Sequence, residues 1–354
     1  MREIRYEANE SDGKEILRIL ESSAAKGNIE LIYTRRPDAY ASYMKETGEA
    51  KVYVSKVGDK TIGTCAELIR EVYIGGKPCK TAYICGLKKD AAYSGNIRFG
   101  SDFIHGLQQE DVGFYYCSVI LENRETQKMF EKKRKIISMA PITEYKTYIF
   151  NPRAKIKAKK HTFSFRQATE NDISELINFL NREGKKRDLF PVIRTLEQFY
   201  NLRYSDFYIL LDGEEIIAAA ALWNQTEYKQ YVVKKYRRFM KMVPFFNPLL
   251  KALGYISLPK EDKPLNFPML SFFVCKNDDV ENYKIFLNEI RAIIARTYKM
   301  YVIGVPKNHY AISALDRLPS IHFTTKLYEI RFPWSEQEYK MLDVAKVYLE
   351  CGLL

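Results

Sequence analysis

The chain has 354 residues, 46% apolar and 14% aromatic, which excludes a disordered polymer and suits two packed domains better than one. Its net charge of +12 and pI near 9.1 suit nucleic acid, an anionic membrane or a phosphorylated cofactor, and equally a lysine-rich surface in water, so charge alone selects none of them. No stretch reaches the roughly 18 apolar residues needed to cross a bilayer, and Met1–Tyr6 is no apolar leader, so a cytoplasmic protein is expected.

In chain order, Ile4-Arg5-Tyr6 predicts a strand over 2–8. Asn9-Glu10-Ser11-Asp12 gives an Asx-type cap, and Glu15-Ile16-Leu17-Arg18-Ile19-Leu20 an amphipathic helix over 12–23. A helix over 37–46 follows, then strands over 51–57 and 61–74 joined at Gly58-Asp59, a turn at Gly75-Gly76 and a strand over 79–87. A helix over 97–109, a strand over 113–120, a helix over 124–133 and closing strands to 150 complete this half. The basic, proline-opened stretch Asn151–Lys160 reads as a linker over 151–161.

The pattern then begins again. Phe165-Arg166-Gln167-Ala168-Thr169-Glu170-Asn171-Asp172 repeats the opening phrase, Glu175–Leu180 repeats the helix, and Phe207-Tyr208-Ile209 with Gly213-Glu214 repeats the hairpin over 206–223. A basic segment with interleaved aromatics, 225–255, is expected to be a helical insertion. Expected after it are a strand over 268–275, a helix over 280–297, a strand over 299–305, a helix near 310, a strand over 326–332 and a terminal helix over 335–350. An ordered set of elements occurring twice argues for tandem domains, 1–150 and 162–354, each an α/β fold with a mixed (α+β type) sheet.

The residues that suggest chemistry lie in the first half. Ala82-Tyr83-Ile84-Cys85-Gly86-Leu87 delivers a strand to the loop Tyr93-Ser94-Gly95-Asn96-Ile97-Arg98-Phe99-Gly100-Ser101 at a helix start. Free N–H groups and the positive helix end in such a place can hold a pyrophosphate. The element order and these motifs resemble the GNAT superfamily of acyl-CoA-dependent N-acyltransferases, covering nearly all of the first half and, more loosely, the second.

That resemblance implies two tandem GNAT-like folds and an acyl-CoA co-substrate, acetyl-CoA first. Ile84, Cys85, Gly86 and Leu87 would hold the pantetheine arm, Gly95, Asn96, Ile97, Arg98, Phe99, Gly100 and Ser101 the phosphates, and Asn123 a further polar contact. Several positions depart from the pattern: Gly95 stands where Arg or Gln usually leads the loop, Arg98 where a glycine is usual, Phe130 where a tyrosine usually protonates the leaving thiolate, and Arg134-Lys135 where Gly-Phe is usual. Tyr115 or Tyr116 could substitute as the acid, and Glu67 or Glu122 could act as the base.

The second half has no such loop, and Asp278, Asp279 and Glu281 at its helix entry would repel a pyrophosphate. In N-myristoyltransferases the terminal carboxylate can serve as base, and the tail Cys351-Gly352-Leu353-Leu354 is apolar enough to tuck inward. Six unpaired-looking cysteines and four scattered histidines suggest reduced thiols and no metal. The leading expectation is an N-acyltransferase acting on a small-molecule or peptide amine by direct attack on the thioester. Its rivals are a non-catalytic GNAT-fold binding protein and an aminoacyl-tRNA-dependent transferase that uses the basic insertion.

Overall fold

The computed structural model describes residues 3–25, 29–47, 49–95, 106–107, 111–131, 137–195, 201–237, 256, 258–332 and 342–354. The first half contributes β1 (Glu3–Glu7), α1 (Gly13–Glu21), β2 (Ile29–Thr34), α2 (Ala39–Thr47) and β3 (Ala50–Val57). It continues with β4 (Lys60–Ile74), β5 (Lys77–Lys89), β6 (Phe114–Ile120), α3 (Arg124–Glu131) and β7 (Ser138–Phe150). The second contributes β8 (Ser164–Gln167), α4 (Ile173–Gly184), β9 (Phe207–Asp212), β10 (Glu215–Trp223) and β11 (Gln230–Tyr236). After these come β12 (Met269–Cys275), α5 (Val280–Thr297), β13 (Tyr301–Pro306), α6 (Ile312–Leu315) and β14 (Ser320–Arg331).

The repeated opening phrase folds the same way twice. The Asp12 carboxylate accepts the Asn9 N–H at 3.2 Å and the Asp172 carboxylate accepts the Thr169 N–H at 2.7 Å, so each acidic turn closes on itself before its helix. Both hairpins turn at a left-handed glycine, Gly58 at φ 59° and Gly213 at φ 60°.

Twelve strands form one sheet in the order β1-β3-β4-β5-β6-β14-β7-β13-β12-β10-β9-β8. Read from either end the halves match, and each has one parallel pair, β5 with β6 and β12 with β13. The closing strands are exchanged: β14 lies between β6 and β7, while β7 pairs with β13. The halves therefore cannot be parted at residue 150. Residues 151–161 do not hang free either, because Ile156 exchanges two hydrogen bonds with the Asn288 side chain on α5 and sits in the core. Helices cover both faces, which is why β10 reads Ile-Ile-Ala-Ala-Ala-Ala-Leu with scarcely any alternation.

Three expectations are corrected. Within the supposed helical insertion, Gln230–Tyr236 is a strand, β11, antiparallel to the unforeseen β2 of the first half; its Tyr-Val-Val run favours extended backbone. The last strand starts at Ser320 rather than 326. Residues 342–350 are a turn and an extended run, not helix. Val347, Tyr348 and Leu349 are buried in succession between the halves, which a helix with one apolar face cannot do.

A candidate functional site at the fork between β5 and β6

β5 and β6 pair in parallel from Thr81↔Phe114 to Ile84↔Cys117, and the pairing stops there. Just beyond, Gly86 takes φ +60° and the β4–β5 register shifts between Thr64 and Ala66, so β5 bends away and the two strands part as a fork. Ile84, Cys85 and Gly86 are half-exposed and Leu87 is 43% exposed on the opened arm. The Tyr83 hydroxyl lies 2.6 Å from Ser118 Oγ and ties the two arms at the crotch.

Alternation along β4 sends Ala66, Leu68 and Arg70 toward α1 and α2, and Glu67 to the opposite face. On the α1/α2 side the fork borders a buried charged cluster. Arg35 donates to Glu46 at 2.6 Å and to Ser42 at 3.0 Å; Lys229 reaches the other Glu46 oxygen at 3.1 Å; the side chains of Arg35, Glu46 and Lys229 are all but inaccessible. Burial alone would raise the Glu46 pKa, but Arg35 and Lys229 outweigh it and hold the carboxyl at about 2. Burial pulls the Lys229 ammonium down, against the attraction of Glu46. The Arg35 guanidinium also lies 3.8 Å from the centre of the Tyr43 ring.

The tail ends in this cluster. Cys351–Leu353 is a buried turn; Arg70 donates to the Leu353 carbonyl at 2.9 Å and Lys229 to the Leu354 backbone oxygen at 2.6 Å. Three cations thus face one side-chain carboxylate beside the fork. The Cys85 thiol feels all four charges, yet burial dominates and pushes it up to about 11, so it stays protonated near neutrality.

The second half repeats the fork. β12 and β13 share the single parallel pair Met269↔Val302, the β10–β12 register shifts between Ala219 and Ala221, and Phe272 takes φ +52°. Register places Ser271, Phe272 and Phe273 where Cys85, Gly86 and Leu87 stand. This fork is closed by the chain's own tail. The Glu350 carboxylate accepts the Phe272 N–H at 2.5 Å, the Gly352 N–H at 3.0 Å and the Tyr348 hydroxyl at 2.9 Å, and all of β12 is buried.

Of the residues expected from sequence, Ile84, Cys85, Gly86 and Leu87 meet at the open fork, and Tyr116 is buried under its crotch, 5.1 Å from Tyr83 ring to ring. Glu67 is fully buried on the far face, where the Tyr53 hydroxyl donates to it at 3.2 Å. Tyr115 is there too, edge-on to Phe332. Glu122 is exposed in the turn before α3, and Asn123 caps that helix through the Thr126 N–H at 3.3 Å. Phe130 packs edge-on against Tyr328. Gly95 accepts a bond from Lys89; Asn96, Ile97, Arg98, Phe99, Gly100 and Ser101 lie outside the described residues. Sequence reading missed Arg35, Tyr43, Glu46, Arg70 and Lys229, whose shared site depends on contacts between distant segments.

The sequence matches no family model and no curated protein. Solved structures do match. Saccharomyces cerevisiae N-myristoyltransferase with bound myristoyl-CoA aligns over 98% of this chain and 89% of its own, with a TM-score of 0.60 at 9% identity. A GCN5-related N-acetyltransferase from Anabaena variabilis aligns over 92% and 72%, with a TM-score of 0.54 at 10% identity. A probable N-acyltransferase from Enterococcus faecalis aligns over 94% and 73%, with a TM-score of 0.51 at 10% identity.

The chain has the GNAT fold, in tandem. Its two GNAT halves share one sheet and exchange their closing strands, and the tail of the second half runs through the second fork to the edge of the first. Among the described residues no helix is long and apolar enough to cross a membrane.

Proposed function

We propose that the chain is an acyl-CoA-dependent N-acyltransferase that uses the first fork, with acetyl-CoA as the first donor to try and a small-molecule or peptide amine as acceptor. The observation that carries this is the contrast between the forks. At Phe272 the bulged N–H holds a carboxylate oxygen of the chain itself; the matching arm at Gly86 is half-exposed, and Leu87 beside it is exposed. An N–H aimed into a fork suits a carbonyl oxygen that gains negative charge when an amine attacks the thioester. Glycine at this point lets the thioester lie against the backbone.

The attacking nitrogen must lose a proton. Glu67, Tyr115 and Glu122 stand away from the α1/α2 side of the fork, whereas the Leu354 oxygen held by Lys229 borders the cluster there. The base that takes this proton is therefore expected on the α1/α2 side of the fork. Phe130 in its apolar seat supports a second reading, a GNAT-fold protein that binds acyl-CoA without turning it over.

Isothermal titration with acetyl-CoA, a long-chain acyl-CoA and free CoA tests the proposal. Binding is expected for wild type, and a loss of roughly tenfold or more for Gly86→Val, since any Cβ at φ +60° meets the Tyr43 hydroxyl at 2.2 Å. A folded wild-type protein that binds none of the three ligands would falsify it. Binding without turnover across an amine panel selects the second reading.

A further inference from the structure

Tyr43, from α2, is the side chain that reaches the back of the first fork. It is fully buried, and its hydroxyl has no hydrogen-bond partner among the described residues. That oxygen stands against Gly86 closely enough to occupy the place of a side chain there, 2.2 Å from an ideal Cβ. The ring is held from below by Arg35, which Glu46 and Ser42 hold in turn. Burial raises the phenol's pKa well above its ordinary value, so the group stays a donor at neutral pH. A buried donor that is fixed in place without an acceptor is unfavourable, and an acceptor that reaches it satisfies it.

The second fork shows what such a pair of donors holds. Oε2 of Glu350 accepts both the bulged Phe272 N–H and the Tyr348 hydroxyl. Tyr348 packs on the α4 side of the sheet, as Tyr43 packs on the α1 side, and α1 and α4 are matching helices of the repeat. One fork therefore displays a carboxyl oxygen in a cradle of bulge N–H and tyrosine hydroxyl. In the other, the Tyr43 hydroxyl stands against the residue of the matching bulge, Gly86, without an acceptor among the described residues.

We infer that Tyr43 is a catalytic residue of the first fork, its hydroxyl donating, together with the Gly86 N–H, to the carbonyl oxygen of a bound acyl thioester. When the amine nitrogen bonds to the carbonyl carbon, the π electrons move to that oxygen and the two donors hold the oxyanion. Its collapse re-forms the carbonyl and breaks the C–S bond. The electron pair leaves on the CoA sulfur, and the proton lost by the amine ends there by way of the base and water. Tyr43 keeps its own proton throughout. The inference rests on the acyltransferase reading and adds to it a side chain from α2.

Tyr43→Phe keeps the ring over Arg35 and removes only the oxygen. Titrating wild type and variant with acetyl-CoA and with S-ethyl-CoA, whose thioether lacks the carbonyl oxygen, isolates that one contact. The variant is expected to bind acetyl-CoA roughly five- to tenfold more weakly while its affinity for S-ethyl-CoA is unchanged. Its thermal midpoint should be at or above that of wild type, because an unpartnered buried hydroxyl has gone. Equal affinities of the two proteins for acetyl-CoA, or an equal loss for both ligands, overturns the inference and leaves the acyltransferase reading standing. A wild-type protein that binds neither ligand overturns both.

Discussion

At Gly86 and at Phe272 the chain takes the same left-handed step, at the same register of the same strand in each half, and the residue placed there follows what must pass beside it. Phe272 accepts a conformation that side chains rarely adopt, and its ring fills the core shared by α4 and the tail. Its N–H is satisfied by Glu350. Gly86 has no ring to bury and leaves the space to the Tyr43 hydroxyl and to whatever lies along the open arm. A fork filled by its own chain can be packed with side chains, whereas one kept for a ligand must leave its donors waiting. The burial of charge differs in the same sense. The second fork buries one carboxylate among three uncharged donors; the first buries three cations around Glu46 and the end of the tail.

The largest effect is expected at Glu46. Replacing it with alanine leaves Arg35 and Lys229 buried without their shared carboxylate, at a cost of roughly 3–5 kcal/mol in unfolding free energy by denaturant titration. A loss under about 1 kcal/mol would mean that the cluster is wet and that the contrast between the forks is not one of buried charge.

Acid tests the same group without mutation. The folded pKa of Glu46, about 2, lies below the ordinary 4.5, so its contribution is complete above the ordinary value and is lost as pH falls from about 4.5 toward 2. Far-UV circular dichroism across that window should show stability falling in wild type and a shallower fall in Glu46→Gln. Identical slopes would remove Glu46 as the group responsible.

How much of this was legible in the sequence follows from how local each feature is. The acidic caps and the glycine hairpins are each written within a dozen residues and are legible, as is the strand expected over 79–87, which runs from Lys77 to Lys89. The repeat disclosed the tandem GNAT halves. The exchange of β7 and β14 was not legible, because each strand pattern is the same whichever neighbour it joins. Nor was Lys229: it stood in a basic, aromatic run that suggested a solvated helix, and only the pairing of β11 with β2 carries it to Glu46, 183 residues away. Tyr43 lies within the helix expected over 37–46, and nothing in its neighbourhood in the sequence singles it out. Its significance is an absent hydrogen bond, which no sequence displays.

Glu350 gives the smallest of these effects and the sharpest division between the forks. Its alanine variant leaves the Phe272 and Gly352 N–H groups and the Tyr348 hydroxyl without their acceptor. Part of that loss is offset, since burial raises the Glu350 pKa against the pull of those same bonds, and the variant no longer has to bury a carboxylate. The net destabilisation should be about 2 kcal/mol. Acetyl-CoA affinity, measured by titration below the unfolding transition, should not change on the proposal that the cofactor uses the first fork, because Glu350 closes the second. If affinity instead falls along with stability, the second fork is positioning the tail for the first, and the two sites have to be treated as one.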